Sequence, residues 1–412
     1  MYQIKNELVE KALLIGPQAE SLTELKMLSE TAGAKIISTI AYQPRQINAA
    51  FYIGSGKAQE IKEIANNKGA NLIIFDYPLS PVQQRNLENK IAKKVIDRAQ
   101  VILDIFAHHA HSKESKIQVE LAQLEYRLPR LQGQGNSLSR LAGGIGSKGP
   151  GESKLEVDRR RIEDRIHRLK TELTAIAEQR EVQKSNRKDP LVALVGYTNA
   201  GKSTLLNKLT AANTLVADQL FATLDAKMRQ LQLDKGKNQV ILTDTVGFID
   251  KLPHQLVASF RTTLAEISNA KIILHIIDSA SQEKEKQIKV VEQELKKLKN
   301  KKSKVIKVFN KIDMLSKAEL ADLKIIYPTA LFVSAEQSLN LEILKFKLTE
   351  LLKPQLTKVE LLLPYEQAGW IAEIHQQGEV KNEKYKQDKV YLEALLPIKI
   401  ANKLKKYSRR IT

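Results

Sequence analysis

The chain of 412 residues contains no cysteine. Disulfides, thiolate metal centres and thiol nucleophiles are therefore excluded, and a reducing compartment suits it. Long apolar runs are missing too. None approaches the ~18 residues that would cross a bilayer, and the opening Met-Tyr-Gln-Ile-Lys-Asn-Glu lacks the basic-then-apolar order of a secretory signal. We expect a soluble, cytoplasmic chain without a membrane span. Negative charge is in short supply: 66 Lys and Arg stand against 47 Asp and Glu, a formal charge of +19. Such an excess points to a polyanion among the partners. It is spread along the chain, so an anion-binding surface has to be assembled by folding.

What is present divides into four segments. Residues 1–106 alternate short apolar runs (Lys11 to Ile15, Ala34 to Ile40, Asn71 to Phe75, Val101 to Ile105) with polar helical stretches such as Pro81 to Lys94. That alternation predicts a small parallel α/β unit. Within it, Gly54-Ser55-Gly56-Lys57 has the look of a phosphate loop, but Phe51 stands where the motif requires another glycine, so a plain turn before a helix is expected. Residues 107–187 carry two helical stripes, Ile117, Leu121, Leu124, Leu128, Leu131 and Ile162, Ile166, Leu169, Leu173, Ile176, on either side of Pro129 and a glycine-rich interval from Gly133 to Gly151. An antiparallel helical hairpin follows from that pattern. Its interval reads either as a flexible linker or as a small-sided cationic loop suited to a phosphate backbone. Asp158-Arg159-Arg160-Arg161 reads as a solvated helix face or an RNA contact.

In residues 188–354 an apolar strand, Leu191 to Val195, runs into Gly196-Tyr197-Thr198-Asn199-Ala200-Gly201-Lys202-Ser203 and then into a helical Thr204 to Leu209. Strand, loop and helix are the context in which Gly-x-x-x-x-Gly-Lys-Ser binds phosphate. The glycines let the backbone wrap the anion, the helix N-terminus adds its positive end, Lys202 reaches the β and γ oxygens, and the Ser203 hydroxyl suits Mg²⁺. Asp244-Thr245-Val246-Gly247 follows a second apolar strand. It places a carboxylate where it can hold the metal through water and the Gly247 N–H where it can meet a γ-phosphate. Asn310-Lys311-Ile312-Asp313 follows another strand, and its carboxylate suits the N1 and N2 edge of guanine, which adenine lacks. Ser334-Ala335-Glu336 completes the set with backbone N–H groups for guanine O6. The order and spacing predict a GTP-binding domain, with GTP and GDP as ligands. Residues 355–412 hold strand-like Leu361 to Pro364 and Val390 to Leu396 around a helix at Tyr365 to Gln376, a small α+β domain that either caps the GTP-binding domain or offers a second contact to the polyanionic partner through Lys399 to Arg410.

This set resembles the translation-factor-related class of P-loop GTPases, and its flanking segments resemble the HflX family of ribosome-associated GTPases. The segments are Asp97-Arg98 with Ile102 to Ala107, Gln118 to Leu124, Leu128-Pro129-Arg130-Leu131, and Gly149-Pro150-Gly151-Glu152 with Asp158-Arg159-Arg160. The resemblance implies that Phe221-Ala222-Thr223-Leu224-Asp225 is switch I and that Thr223 joins Ser203 on Mg²⁺, with Asp244 acting through water. Lys202, Thr223 and Gly247 would then be the catalytic groups. It also implies a GTP-hydrolysing factor that binds the 50S ribosomal subunit and its rRNA through the Gly133 to Gly151 loop and splits or rescues stalled 70S ribosomes. Two alternatives stay open, a large-subunit assembly GTPase and a nucleotide-dependent rRNA remodeller. We expect a monomer; peripheral membrane association is left open.

Three departures stand out. Phe248 follows Gly247 where Ras-like enzymes carry the glutamine that orients water, which predicts slow hydrolysis stimulated by the ribosome. His108-His109-Ala110-His111 replaces a stretch that is usually Arg-containing, and reads as a surface hinge or a metal cluster. Glu336 and Asn340 depart from the usual residues after Ser334-Ala335, which weakens that guanine contact.

Overall fold

The computed structural model describes residues 9–131, 154–185, 189–210, 221, 227–233, 238–245, 247–249, 266–298, 303–352, 356–367, 369–386 and 388–411. The chain divides into two compact units, Met1–Leu344 and Lys345–Thr412. The architecture is α/β: a small parallel sheet, a helical hairpin and a P-loop GTPase fold in the first unit, and an α+β fold in the second. Among the described residues, no helix is long and apolar enough to cross a membrane.

The first sheet contains β1 (Lys11–Gly16), β2 (Lys35–Ala41), β3 (Leu72–Phe75) and β4 (Lys94–Asp97) in the order β2-β1-β3-β4, all parallel. Helices α1 (Ala19–Thr31), α2 (Ser55–Lys68) and α3 (Pro81–Ile91) connect these strands, and α4 (Arg98–His109) follows the last. The continuous apolar runs of β1 and β3 are buried on both faces, as parallel strands between helices must be. Helix α3 begins with a capping box, Ser80 with Gln83, and Pro81 at its first position. Two expectations are corrected here. Val101 to Ile105 lies in α4 rather than in a strand, because Asp97 accepts the Gln100 N–H at 3.0 Å and caps a helix there. The polar helix stops at Ile91, and Lys94 already belongs to β4.

The hairpin is α5 (Lys113–Leu131) with α6 (Lys154–Ser185). Ile117, Leu121 and Leu169 are buried in its seam, with Leu124, Ile166, Leu173 and Ile176 packed beside them. Ion pairs Glu114–Arg180 and Glu125–Lys170 run in opposite directions along the two helices, which makes the pair antiparallel. Helix α5 continues through Pro129 to Leu131. Arg130 lies over the Tyr126 ring and donates to the Leu79 carbonyl at 3.0 Å and to Gln84 at 2.9 Å. It therefore fastens the hairpin to the first sheet. Buried Asp97 helps, taking the Tyr126 hydroxyl at 2.8 Å. Burial, then the Asp97 charge, push the Tyr126 hydroxyl upward, so it stays a donor.

The second sheet contains β5 (Leu191–Gly196), β6 (Met228–Leu233), β7 (Asn238–Asp244), β8 (Ile272–Asp278), β9 (Lys304–Asn310) and β10 (Leu331–Phe332), ordered β10-β9-β8-β5-β7-β6. Only the β6–β7 pair is antiparallel. Helices α7 (Lys202–Thr210), α8 (Lys284–Leu298) and α9 (Lys317–Ile326) accompany it, and α10 (Leu341–Leu352) carries the chain from the first unit into the second. The second unit holds β11 (Leu356–Pro364), β12 (Glu379–Tyr385), β13 (Lys389–Pro397) and β14 (Ser408–Ile411) in an antiparallel sheet ordered β12-β13-β11-β14. Alternate residues of β11 and β13 are buried beneath α11 (Gly369–Gln377) and α12 (Ile398–Lys403).

Candidate nucleotide-binding site

The site is assembled at the carboxyl edge of the second sheet, where open α/β folds hold ligands. Strand β5 ends at Gly196, and the loop that follows turns directly into α7. A side chain at Gly196 would overlap the Ile276 carbonyl of β8. Gly201 has φ +86°, and a side chain there would overlap the Asn310 amide. Asn199 also takes a left-handed backbone, at φ 59°. The loop is therefore tightly curled with nothing between it and its neighbours. Lys202, first residue of α7, is buried and donates from Nζ to the carbonyls of Gly196 at 3.2 Å and Tyr197 at 2.7 Å. Burial draws its ammonium down to about 8, with the Asp244 carboxylate opposing.

Asp244 ends β7, beside β5, and accepts the Ser203 hydroxyl at 2.6 Å. A hydroxyl and a carboxylate so close form the hard-oxygen pair that suits Mg²⁺. Thr245 faces away, bonding the Leu194 carbonyl at 2.8 Å. The loop and the segment after Asp244 are zipped together: Thr198 N–H donates to Phe248 O at 2.9 Å, and Phe248 N–H to Gly196 O at 3.0 Å. Gly247 lies against Thr198 and Lys202, where a side chain would come within 3.1 Å of Nζ. The Phe248 ring is buried and has no polar atom with which to orient water.

At the other end, Asn310 is buried and works as a tie. Its amide N–H donates to Ala200 O at 3.0 Å, and its carbonyl accepts the Ala335 N–H at 2.9 Å. It thus binds the loop of residues 196–203 to the Ser334-Ala335 turn, a role its motif position alone did not reveal. Lys311 has φ 64° and pairs with Asp278 at 2.7 Å, leaving Asp313 exposed on a short 3-10 turn, Ile312–Met314. Ser334 is buried, its hydroxyl accepting the Gln337 N–H at 3.1 Å, while Glu336 is exposed.

Of the expected site residues, Gly196 to Ser203, Phe221, Asp244, Thr245, Gly247, Asn310 to Asp313 and Ser334 to Glu336 are described. Ala222, Thr223, Leu224, Asp225 and Val246 lie outside the described residues, as does the Gly133 to Gly151 interval. Phe221 is buried with its ring edge-on to Phe106 of α4, centroids 4.6 Å apart. Sequence reasoning also missed Glu24, which accepts the Tyr197 hydroxyl at 2.6 Å from 173 positions away; a single Glu on an amphipathic helix carries no signal of that contact.

Two other expectations can be placed. Gly54-Ser55-Gly56-Lys57 is the plain start of α2, with open space around both glycines and Lys57 paired to Glu60 at 2.6 Å. His108 and His109 turn their Nδ1 atoms to the carbonyls of Asp104 and Ile105, and among the described residues no cluster of three or more His, Asp or Glu forms a metal site.

Three family models match the chain: a GTP-binding GTPase N-terminal region over residues 19–107, a GTP-binding GTPase middle region over 109–187, and a 50S ribosome-binding GTPase over 191–311. A GTPase HflX of Caldanaerobacter subterraneus is 44% identical over 411 residues, covering 98% of this chain and 94% of that one. GTPase HflX of Escherichia coli is 39% identical over 386 residues, covering 92% and 90%. A crystal structure of a GTP-binding protein from Sulfolobus solfataricus in complex with GDP is 28% identical, covers 83% of this chain and 98% of its own, and has a TM-score of 0.45. With a phosphate loop, an Asp-Thr-Val-Gly segment and an Asn-Lys-Ile-Asp turn brought to one sheet edge, and with the two HflX proteins matching over more than nine-tenths of it, the chain is a GTPase and belongs to the HflX family.

Proposed function

We propose that this GTPase is a factor for the large ribosomal subunit, binding the 50S particle in its GTP state and splitting or rescuing stalled 70S ribosomes in the cytoplasm. Family membership and the match of residues 191–311 to a 50S ribosome-binding GTPase model support this reading. The observation that carries it furthest is a GTPase site in one chain with an antiparallel pair of helices, α5 and α6, between which the sequence places the small-sided cationic interval Gly133 to Gly151. Arg159 and Arg161 are exposed on α6, paired with Glu163 and Asp158 of the same helix, an arrangement that suits contact with a phosphate backbone.

Within the site, Lys202 would bind the β and γ phosphates, and Gly196 to Ser203 would wrap them. Ser203 and Thr223 would hold Mg²⁺, with Asp244 acting through water; the metal would neutralise charge that develops on the phosphates. The Gly247 N–H would meet the γ-phosphate, Asp313 the guanine N1 and N2 edge, and Ser334 to Glu336 its O6. With Phe248 buried, positioning of the attacking water is assigned to the ribosome-bound state, so hydrolysis by the free chain is slow.

The test is sedimentation of 70S ribosomes with the protein and a non-hydrolysable GTP analogue. Conversion to free 30S and 50S particles, absent with GDP, is expected. Co-migration with 50S without loss of 70S would replace splitting with a role in subunit assembly.

A further inference from the structure

Tyr197 is the second residue of the loop Gly196 to Ser203, and both ends of it are held. Its carbonyl takes the Lys202 ammonium at 2.7 Å, while its hydroxyl reaches out of the GTPase sheet to Glu24 on α1 at 2.6 Å. Glu24 is itself fixed. Its second oxygen accepts Arg98 Nη2 at 2.6 Å, and Arg98 Nη1 donates to Asp76 at 2.8 Å, with Ser21 donating to the other Asp76 oxygen. Arg98 and Asp76 are almost wholly buried. Burial alone would pull the guanidinium down, but the two carboxylates outweigh it and hold the cation in place. Shifting Glu24 away from Arg98 would leave a buried guanidinium with one carboxylate where it has two, so the anchor is costly to move.

The place of this chain in the fold is telling. Asp76 follows β3, Arg98 follows β4 and Ser21 opens α1, so the cluster sits at the carboxyl edge of the first sheet near β1 and β3, where its strand order reverses. Doubly wound sheets hold ligands at such a point. Here the cluster grips a residue of the second sheet's phosphate loop. Phe221, at the head of the segment expected to be switch I, packs edge-on against Phe106 of α4, the helix that follows the last strand of the first sheet.

We propose that Glu24 is a positioning residue for the nucleotide site, acting through the Tyr197 hydroxyl to hold the phosphate loop in its binding conformation, with Arg98 and Asp76 as its anchor. The proposal rests on residues 196–203 being the phosphate-binding loop. A loop held in shape before the nucleotide arrives loses less freedom on binding. Because it contacts the β-phosphate that GTP and GDP share, the benefit falls equally on both nucleotides and leaves the chemical step alone.

The test uses the full chain and fluorescent GTP and GDP analogues. Tyr197→Phe removes only the hydroxyl and should raise the Kd of both nucleotides by the same factor, at least about fivefold, a typical coupling between linked sites. Glu24→Ala, outside the loop, should do likewise and leave kcat at saturating GTP unchanged, and the double variant should be no worse than either single one in nucleotide affinity, since both cut the same link. Glu24→Gln can keep its oxygen on Arg98 and donate from its amide nitrogen to the Tyr197 hydroxyl, so it should retain most of the affinity. If Glu24→Ala fails to fold, Tyr197→Phe and Glu24→Gln still decide. Melting temperatures that fall while both Kd values hold would reduce the contact to structure and overturn the proposal, as would single effects that multiply in the double variant. Lys202→Ala run in parallel separates the two readings: wild-type nucleotide affinity there would sink the phosphate-loop assignment itself, whatever Glu24 does.

Discussion

Two turns in this molecule start with the same materials. Gly54-Ser55-Gly56-Lys57 and Gly201-Lys202-Ser203 each lead into a helix of a parallel α/β unit and offer glycine beside lysine. Around Gly54 and Gly56 a Cβ would meet nothing within 4 Å, and Lys57 is half-buried, its ammonium over the Tyr42 ring and paired with exposed Glu60. At Gly196 and Gly201 a Cβ would strike backbone or a tied amide, and Lys202 is buried against the loop's own carbonyls. A phosphate loop is thus marked by crowding: its glycines are required by neighbours that leave no room, and its lysine is dehydrated before any anion arrives.

The sharpest way to break this contrast is to add one methyl group to each turn. Gly196→Ala puts Cβ into the Ile276 carbonyl, and the central strand β8 cannot retreat from it. A loss of roughly 3 kcal/mol or more in unfolding free energy is expected, together with loss of GTP binding. Gly56→Ala lies in the first turn of α2 with open space around it, and should stabilise by about 0.5–1 kcal/mol through the unfolded chain. Urea unfolding of both variants measures the pair. Equal effects would remove crowding as the distinguishing feature.

The lysines make a second, smaller contrast. Replacing Lys202 by alanine should weaken GTP binding roughly 100-fold, as expected for losing charge-assisted bonds to phosphate, while Lys57→Ala should leave it within about twofold. The pH dependence has a definite sign. Burial holds free Lys202 at about 8. Phosphate oxygens favour the ammonium, so binding raises its pKa and takes up a proton above that value. GTP affinity should therefore be flat from pH 7 to 8 and fall toward tenfold per unit above it, a decline measurable by titration at pH 7.5, 8.5 and 9.5. The limb should vanish in Lys202→Ala.

How much of this could be read in advance follows from which contacts are local. The phosphate loop, Asp244 and Asn310 to Asp313 were legible because strand, turn and helix lie next to each other in sequence, and so was the hairpin seam of Ile117, Leu121 and Leu169. Val101 to Ile105 misled, since an apolar run of five fits a buried strand as well as a buried helix face, and the Asp97 cap that decides between them is a single residue. Asp97, Arg98 and Arg130 could be quoted as marks of a family, but their work, bonding Tyr126, Asp76, Glu24 and Leu79, joins residues 22 to 74 positions apart. Tyr197 with Glu24 is the extreme case. Long-range polar pairs leave no periodicity, so only the folded chain displays them.

The smallest contrast lies in the sheets themselves. The central strands of the first sheet, β1 and β3, bury only apolar side chains between Ala12 and Ile15 and between Leu72 and Phe75, whereas β8 at the middle of the second buries His275. Its register neighbours are Val195 and Lys307, and among the described residues its Nδ1 has no hydrogen-bond partner. Burial draws the imidazole down to about 4; the Glu292 carboxylate opposes this, and the charges of Lys307 and Lys202 add to it. The unfolded chain, with an ordinary histidine near 6.5, therefore takes up a proton that the folded chain refuses between pH 6.5 and 4. Its contribution to stability is fully present above pH 6.5 and drains away as pH falls through that window, reaching at most about 3 kcal/mol. His275→Leu should flatten the acid limb of a melting-temperature profile from pH 6.5 to 4.5 while leaving the value at pH 7.5 within a few degrees. An unchanged slope would place the acid sensitivity of this fold in its carboxylate pairs instead, with the two sheets equal in that respect.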